Sequence, residues 1–261
     1  MMVNDYLERI GVLPSEVGKT DLDLLRRLQL AHVLSVPYEN VDIIRNVPLS
    51  LDEDKLFDKI VTRHRGGLCF ELNTLFNNLL VALGYETESY FPRFWRGETG
   101  IPIPRHRVVA VKLSGERYLV DVGIGSAAPR FPLLLREGLV QEGFGESYRL
   151  ERDALFGWML YEMKDGEWQK YFSFTEECYF DADYVPTLFW CEKHSESKFN
   201  KSLMVSLKTD GGRITIDGST FKIFRGTELS HIEEGLSHKT VCKYLREKFG
   251  MSDITEWEKQ R

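Results

Sequence analysis

Cysteine is scarce in this chain: four in 261 residues, Cys69, Cys178, Cys191 and Cys242, with no CxxC pair among them. That spacing offers neither a disulfide framework nor a zinc-type ligand set, so free thiols in a reducing compartment and no bound metal are expected. No run approaches the roughly 18 apolar residues of a membrane-spanning helix. The first residues, MMVNDYLERIGVL, lack the basic start and unbroken apolar core of a signal peptide. A cytoplasmic protein without a membrane partner is the expectation. A basic excess is missing as well. Lys plus Arg number 34 against 40 Asp plus Glu, a formal charge of −6, which argues against a nucleic-acid partner. Internal repeats and low-complexity linkers are also missing. What remains, 43% hydrophobic and 28% charged residues, suits a folded chain with a sizeable core of its own.

Residues 3 to 85 carry helical periodicity. Tyr6, Leu7 and Ile10 share a face, and Gly11 with Pro14 stops that segment. Thr20 fits an N-cap for a helix over 21–34, where Leu24, Leu25, Leu28 and Ala31 recur at helical spacing and Pro37 closes the run. The pattern predicts a short helix over 52–64 and a strongly apolar one over 69–83, closed by Gly84. From about residue 86 the period changes to two, over 87–91, 107–113, 116–122, 147–150 and 158–163, with Ser114-Gly115 as a hairpin signal. Residues 172–200 show no clear period and leave room for a short helix. Strand pattern returns over 203–208, 213–216 and 221–225, and a last helix fits 238–249. The order is a helical lobe (1–85), an antiparallel β lobe (86–190) and a smaller mixed lobe (191–261). That is α+β, not alternating βαβ.

The segment Arg65-Gly66-Gly67-Leu68-Cys69-Phe70-Glu71-Leu72-Asn73 is the most informative. Two glycines let the backbone turn sharply ahead of a helix, which sets Cys69 at or near the helix N-terminus. Unpaired N–H groups there favour thiolate, the nucleophilic form. A buried structural thiol is the alternative. The second feature runs from His106 to Gly125. If Ser114-Gly115 is a two-residue loop, Leu113 pairs with Glu116 and Asp121 is the diagonal neighbour of His106 on one face. A three-residue loop would put them on opposite faces. Asp121 also sits in the apolar run Tyr118-Leu119-Val120-Asp121-Val122, where a buried carboxylate needs a partner. A cysteine at a helix start and a His–Asp pair are the parts of a Cys-His-Asp triad. In it His106 takes the thiol proton, giving an imidazolium–thiolate pair, and Asp121 holds the tautomer.

Three further patterns carry less. Gly123-Ile124-Gly125-Ser126-Ala127-Ala128 has the form GxGxxA, but Pro129 and Pro132 argue against the helix that a dinucleotide fingerprint must open. It reads as a glycine loop able to turn backbone N–H groups toward a ligand. His238 and Cys242 stand four apart with no third ligand nearby, which favours packing. The charged run 192–198 reads as a solvated loop.

With Tyr6-Leu7-Glu8-Arg9-Ile10-Gly11, Val36-Pro37-Tyr38-Glu39-Asn40, the RGGxCxExN pattern at 65–73, His106 and Asp121-Val122-Gly123-Ile124-Gly125, the chain resembles the arylamine N-acetyltransferases over roughly residues 6 to 130. The resemblance implies a helical bundle, a central antiparallel β-barrel and a C-terminal α/β lid, with the triad arranged as in cysteine proteases. It implies acetyl transfer from acetyl-CoA to an arylamine, arylhydrazine or arylhydroxylamine by a ping-pong route. Carried onto this chain, Cys69 is the acetyl acceptor, His106 its base and Asp121 the orienting carboxylate. Glu39 and Arg65 become a buried structural ion pair. Tyr38 and Ile124 fall near the acceptor pocket, and Gly123 and Gly125 near the CoA donor. Two positions depart from the family pattern: Ile124 stands for an aromatic and Tyr38 for a phenylalanine, both bearing on acceptor preference. The proline-rich 100–105 stands where a small-residue loop for CoA is expected. A Cys-His-Asp site also suits a hydrolase, or an amide synthase working from an acyl-thioester carrier.

Overall fold

In the computed structural model, which describes residues 2–258, the helical pattern resolves into α1 (Val3–Arg9), α2 (Leu22–Ser35), α3 (Val41–Ile44), α4 (Glu53–Phe57) and α5 (Cys69–Ala82). The predicted helix over 52–64 is split, because α4 runs into a π turn at Asp58–Thr62. Asp21 rather than Thr20 caps α2. Its carboxylate accepts from the Leu24 N–H at 3.0 Å, while the Thr20 hydroxyl donates to the Leu83 carbonyl. Tyr6, Leu25, Leu28, Phe76 and Leu80 close the apolar faces of α1, α2 and α5 on one another. Each such side chain taken fully out of water stabilises by roughly 1.5–3 kcal/mol.

The strand pattern gives β1 (Tyr38–Glu39) within the helical lobe, then β2 (Glu86–Tyr90), β3 (Arg93–Phe94), β4 (Val108–Leu113), β5 (Glu116–Val120) and β6 (Leu133–Leu134). β7 (Val140–Gly143), β8 (Glu146–Asp153), β9 (Gly157–Lys164) and β10 (Glu167–Phe174) follow. Ser114 and Gly115, at φ of 53° and 81°, form a two-residue loop, and Leu113 pairs with Glu116. Positive φ at both positions gives the turn the twist of its strands.

These strands make two open sheets, ordered β2-β4-β5-β6 and β3-β10-β9-β8-β7. The expected barrel is therefore not closed among the described residues. β3 and β6, each two residues long, end their ladders. The two sheets meet instead through side chains, Tyr90, Val108 and Leu119 packing with Tyr148, Leu160 and Phe172.

The stretch without clear period contains α6 (Asp181–Lys193), so the lobe limit drawn at 190 falls inside a helix. Its Tyr184, Leu188 and Cys191 pack with Phe70 of α5. The charged run 192–198 is only partly loop: Glu192 and Lys193 end α6, and Ser197 is buried, its hydroxyl donating to the Cys191 carbonyl. A third sheet follows, with β11 (Met204–Thr209), β12 (Gly212–Asp217), β13 (Thr220–Arg225) and β14 (Glu228–Glu233). Its order is β1-β11-β12-β13-β14, so residues 38–39 pair with the C-terminal part of the chain. Asn40 reinforces the junction: its amide donates to the Phe199 and Ser202 carbonyls and its oxygen accepts from the Met204 N–H. α7 (His238–Glu247) covers this sheet through Val241, Cys242 and Leu245. Among the described residues, no helix is long and apolar enough to cross a membrane.

Candidate active site

Charges buried behind the Arg65-Gly66-Gly67 turn fix where α5 begins. Arg65 reaches Glu39 at 2.7 Å and Asp42 at 3.0 Å, and Lys59 reaches Asp42 at 2.7 Å and Glu71 at 2.8 Å. The Glu39–Arg65 pair expected from sequence is thus one end of an open chain of ion pairs, Glu39–Arg65–Asp42–Lys59–Glu71. Burial alone would raise the Asp42 carboxyl, but Lys59 and Arg65 hold it well below the usual carboxylate range. The surplus negative charge meets backbone donors, Val41 N–H at Glu39 and Leu68 N–H at Glu71. Glu71 thereby caps the helix whose first residue is Cys69.

Across from Cys69, the β4–β5 ladder pairs Val109 with Val120. Continued outward, that register sets His106 opposite Gly123 and makes Asp121 its diagonal neighbour. His106 Nε2 lies 2.7 Å from Asp121 Oδ2, both residues being buried. Nδ1 is left for a hydrogen bond with the Cys69 thiol, whose Sγ also lies 3.8 Å from the Arg105 carbonyl oxygen. The structure brings the three residues together.

Asn73 closes the RGGxCxExN pattern, where sequence gives it no role, and in the fold it joins the parts. Its amide donates to Asp121 Oδ1 at 2.9 Å and to the Arg107 carbonyl at 2.7 Å, and its oxygen accepts from the Val122 N–H at 3.0 Å. The Gly123 N–H gives Oδ1 a second donor at 2.8 Å. The sequence signal for it is spacing: Asn73 follows Cys69 by four residues and so shares its helix face.

Burial alone would lower the His106 imidazolium, but the Asp121 carboxylate and the Cys69 hydrogen bond push it up to about 10. Burial pushes the Cys69 thiol up, and His106 offsets only part of that. The thiolate expected from His106 and the helix start together is favoured against this desolvation. Cys69 and His106 share one proton across their hydrogen bond, so the two titrate as a pair.

Cys69 and His106 reach the wall of a cavity of about 490 Å³. Tyr38, Phe94, Ile124, Phe199 and Phe224 supply its apolar lining, and Arg96, Arg105, Lys198, Arg213 and Lys222 face the single lining carboxylate, Asp217. Tyr38 and Ile124 thus share the cavity with the thiol. The two glycines have a packing account. A Cβ on Gly123 would stand 2.8 Å from the Cys69 Cα, so only glycine lets the strand end press on the helix start. A Cβ on Gly125 would meet Tyr38 Cβ at 2.6 Å, and Gly125 does not line the cavity. The His238 Nε2 stands 3.5 Å from Cys242 Sγ and 2.9 Å from the Trp257 carbonyl oxygen. No three metal-capable side chains converge among the described residues.

A family profile described as N-acetyltransferase matches residues 21–255. An arylamine N-acetyltransferase of Mycobacterium tuberculosis is 35% identical over 263 residues, covering 96% of this chain and 90% of that protein. The solved arylamine N-acetyltransferase of Salmonella typhimurium superposes with a TM-score of 0.91 at 27% identity, over 97% of this chain and 92% of that one. The Mycobacterium marinum arylamine N-acetyltransferase in complex with CoA superposes with a TM-score of 0.89 at 32% identity, over 98% and 94%.

Proposed function

The chain belongs to the arylamine N-acetyltransferase family, and from that premise we propose that it moves an acetyl group from acetyl-CoA to an aromatic amine or hydrazine in two half-reactions through Cys69. It is an acyltransferase. The observation that carries this reading is the buried contact of Cys69, His106 and Asp121 at the wall of a cavity rich in cations. Acetyl-CoA carries several phosphate charges, and Arg96, Arg105, Lys198 and Lys222 offer it a complementary surface.

In the first half-reaction the Cys69 proton passes to His106 Nδ1 as Sγ attacks the donor's thioester carbonyl. The carbonyl re-forms, the CoA sulfur leaves with the proton from His106, and the acetyl group stays on Cys69. In the second, the amine nitrogen attacks that thioester, gives its proton to His106, and Cys69 leaves as thiolate. Asp121 keeps Nδ1 aimed at sulfur and stabilises the imidazolium in both. Tyr38 and Ile124 would flank the acceptor ring. We assign residues 1–85 to carrying Cys69, 86–190 to carrying His106 and Asp121, and 191–261 to covering the donor's path as a lid.

Intact mass after acetyl-CoA alone tests the reading. One acetyl group should appear on Cys69 and disappear on addition of an aromatic amine, with the acetylated amine as product. An unmodified protein under these conditions, or acetate released in place of a stable thioester, would overturn it.

A further inference from the structure

A second cavity, of about 470 Å³, lies between the ends of β8 and β9 in one sheet and the β11–β12 hairpin of another. It shares Arg96, Ser126, Ala127 and Arg213 with the cavity at Cys69. Five Arg and Lys side chains line it against three carboxylates, in a chain whose formal charge is −6. The excess is concentrated where water is scarce. Arg130 and Lys208 are both buried and both bond the same carboxylate, Glu146. Arg130 spends other N–H groups on the Thr209 and Gly212 carbonyls, each at 2.9 Å. The Lys208 ammonium has three N–H groups and, among the described residues, Glu146 as its hydrogen-bond partner.

The strand register adds to the imbalance. Lys208 on β11 stands directly opposite Arg213 on β12, and like charges at opposed positions repel. Arg96 pairs with Glu162, yet its charge still reaches Arg213. Burial, opposed by Glu146 and reinforced by Arg130, pushes the Lys208 ammonium down to about 8. Two buried cations sharing one carboxylate leave positive charge without a counter-ion, an arrangement that costs stability unless an anion offsets it. A tetrahedral dianion over the β11–β12 ladder, between the Lys208 and Arg213 side chains, would separate the two cations and accept from both.

We propose that this second cavity binds a phosphate-class dianion, held by Lys208 and Arg213 with Arg96 at the wall common to the two cavities. The chemistry is the same for a phosphate borne by the acyl donor, reaching across that wall, and for a separate phosphate compound. The site stands on its own charges and does not require the acyl-transfer reading.

Calorimetric titration of the full chain with inorganic phosphate, at constant ionic strength, tests this. Saturable binding of one phosphate is expected, with Kd raised about tenfold or more in Lys208→Gln and in Arg213→Gln, since each loses a charged hydrogen bond. Circular dichroism of each variant checks folding, and either variant alone suffices. Kinetics separate the sources. If phosphate competes with acetyl-CoA, and removing the donor's 3′-phosphate raises KM in the parent but not in Lys208→Gln, the donor's own phosphate is the occupant. If phosphate binds and KM is unmoved, the occupant is a separate compound. No saturable binding, or binding lost in Lys222→Gln yet retained in Lys208→Gln, would overturn the proposal.

Discussion

The two carboxylate oxygens of Asp121 are engaged differently. Oδ2 holds His106, while Oδ1 is itself held by Asn73 and the Gly123 N–H. Asp121→Asn keeps the shape but removes the charge that keeps His106 protonated and aimed. Acetylation of Cys69 is expected to slow by about 10²–10⁴-fold, measured by quenched single turnover, with the circular dichroism spectrum unchanged. A parent rate would remove Asp121 from the triad. Asn73→Ala frees Oδ1 from one donor, and a slowing of about tenfold or more is expected in the same assay. Ile124 acts at the other step. An aromatic ring there would add roughly 0.5–1.5 kcal/mol of ring packing against an aryl acceptor. Ile124→Phe should therefore speed deacetylation of the acetylated enzyme by an aniline several-fold to about tenfold, leaving acetylation nearly unchanged. Tyr38 already offers a ring to the same cavity. A slower or equal deacetylation would mean that Tyr38 supplies the orientation and the new ring crowds it.

Among the elements, the start of α5 is held by a chain of buried ion pairs through Glu39, Arg65, Asp42, Lys59 and Glu71. Arg65→Met would strand Glu39 in the interior, and a loss of about 3–5 kcal/mol in urea unfolding is expected. α5 itself is legible from sequence, because its apolar run lies between Gly66-Gly67 and Gly84. The β4–β5 hairpin is legible for a similar local reason, a Ser-Gly pair between two alternating runs. α6 is not. Pro186 lies inside it, and Val185 and Phe189 are exposed beside buried Tyr184, Leu188 and Cys191, so no clean helical period survives in the sequence. The closed barrel fails for another reason: whether sheets join at their edges depends on strands far apart in sequence. Asn73 lies in between. Its position is visible in the sequence, but its partners exist only once α5 has met the hairpin.

For the molecule as a whole, two buried histidines set opposite limbs of a stability curve. His32 lies inside the helical core with Tyr6 at 2.9 Å, and burial pushes its imidazolium down to about 3. Unfolded, it titrates near 6.5. Between those values the unfolded chain binds a proton that the folded one refuses, so stability falls as pH drops, by at most about 1.4 kcal/mol per pH unit. His106 is raised to about 10, so its contribution is complete below about 6.5. It is lost as pH rises toward that higher value, because there only the folded state keeps the proton. Urea unfolding across this range should show His32→Gln flattening the acid limb and Asp121→Asn the alkaline limb. An alkaline slope that survives Asp121→Asn would mean that His106 is not held charged by Asp121.

The pairing of β1 with β11 also bears on how the chain is made. Asn40 finds its Met204 partner 164 residues later. At ribosomal speeds that interval is roughly 10–30 s, during which Tyr38 and Asn40 have left the ribosome without the strand they pair with. Contacts so distant in sequence also form slowly after release. A nascent chain that has reached only the end of β10 already contains Cys69, His106 and Asp121, yet the strand that meets Tyr38 has still to be translated.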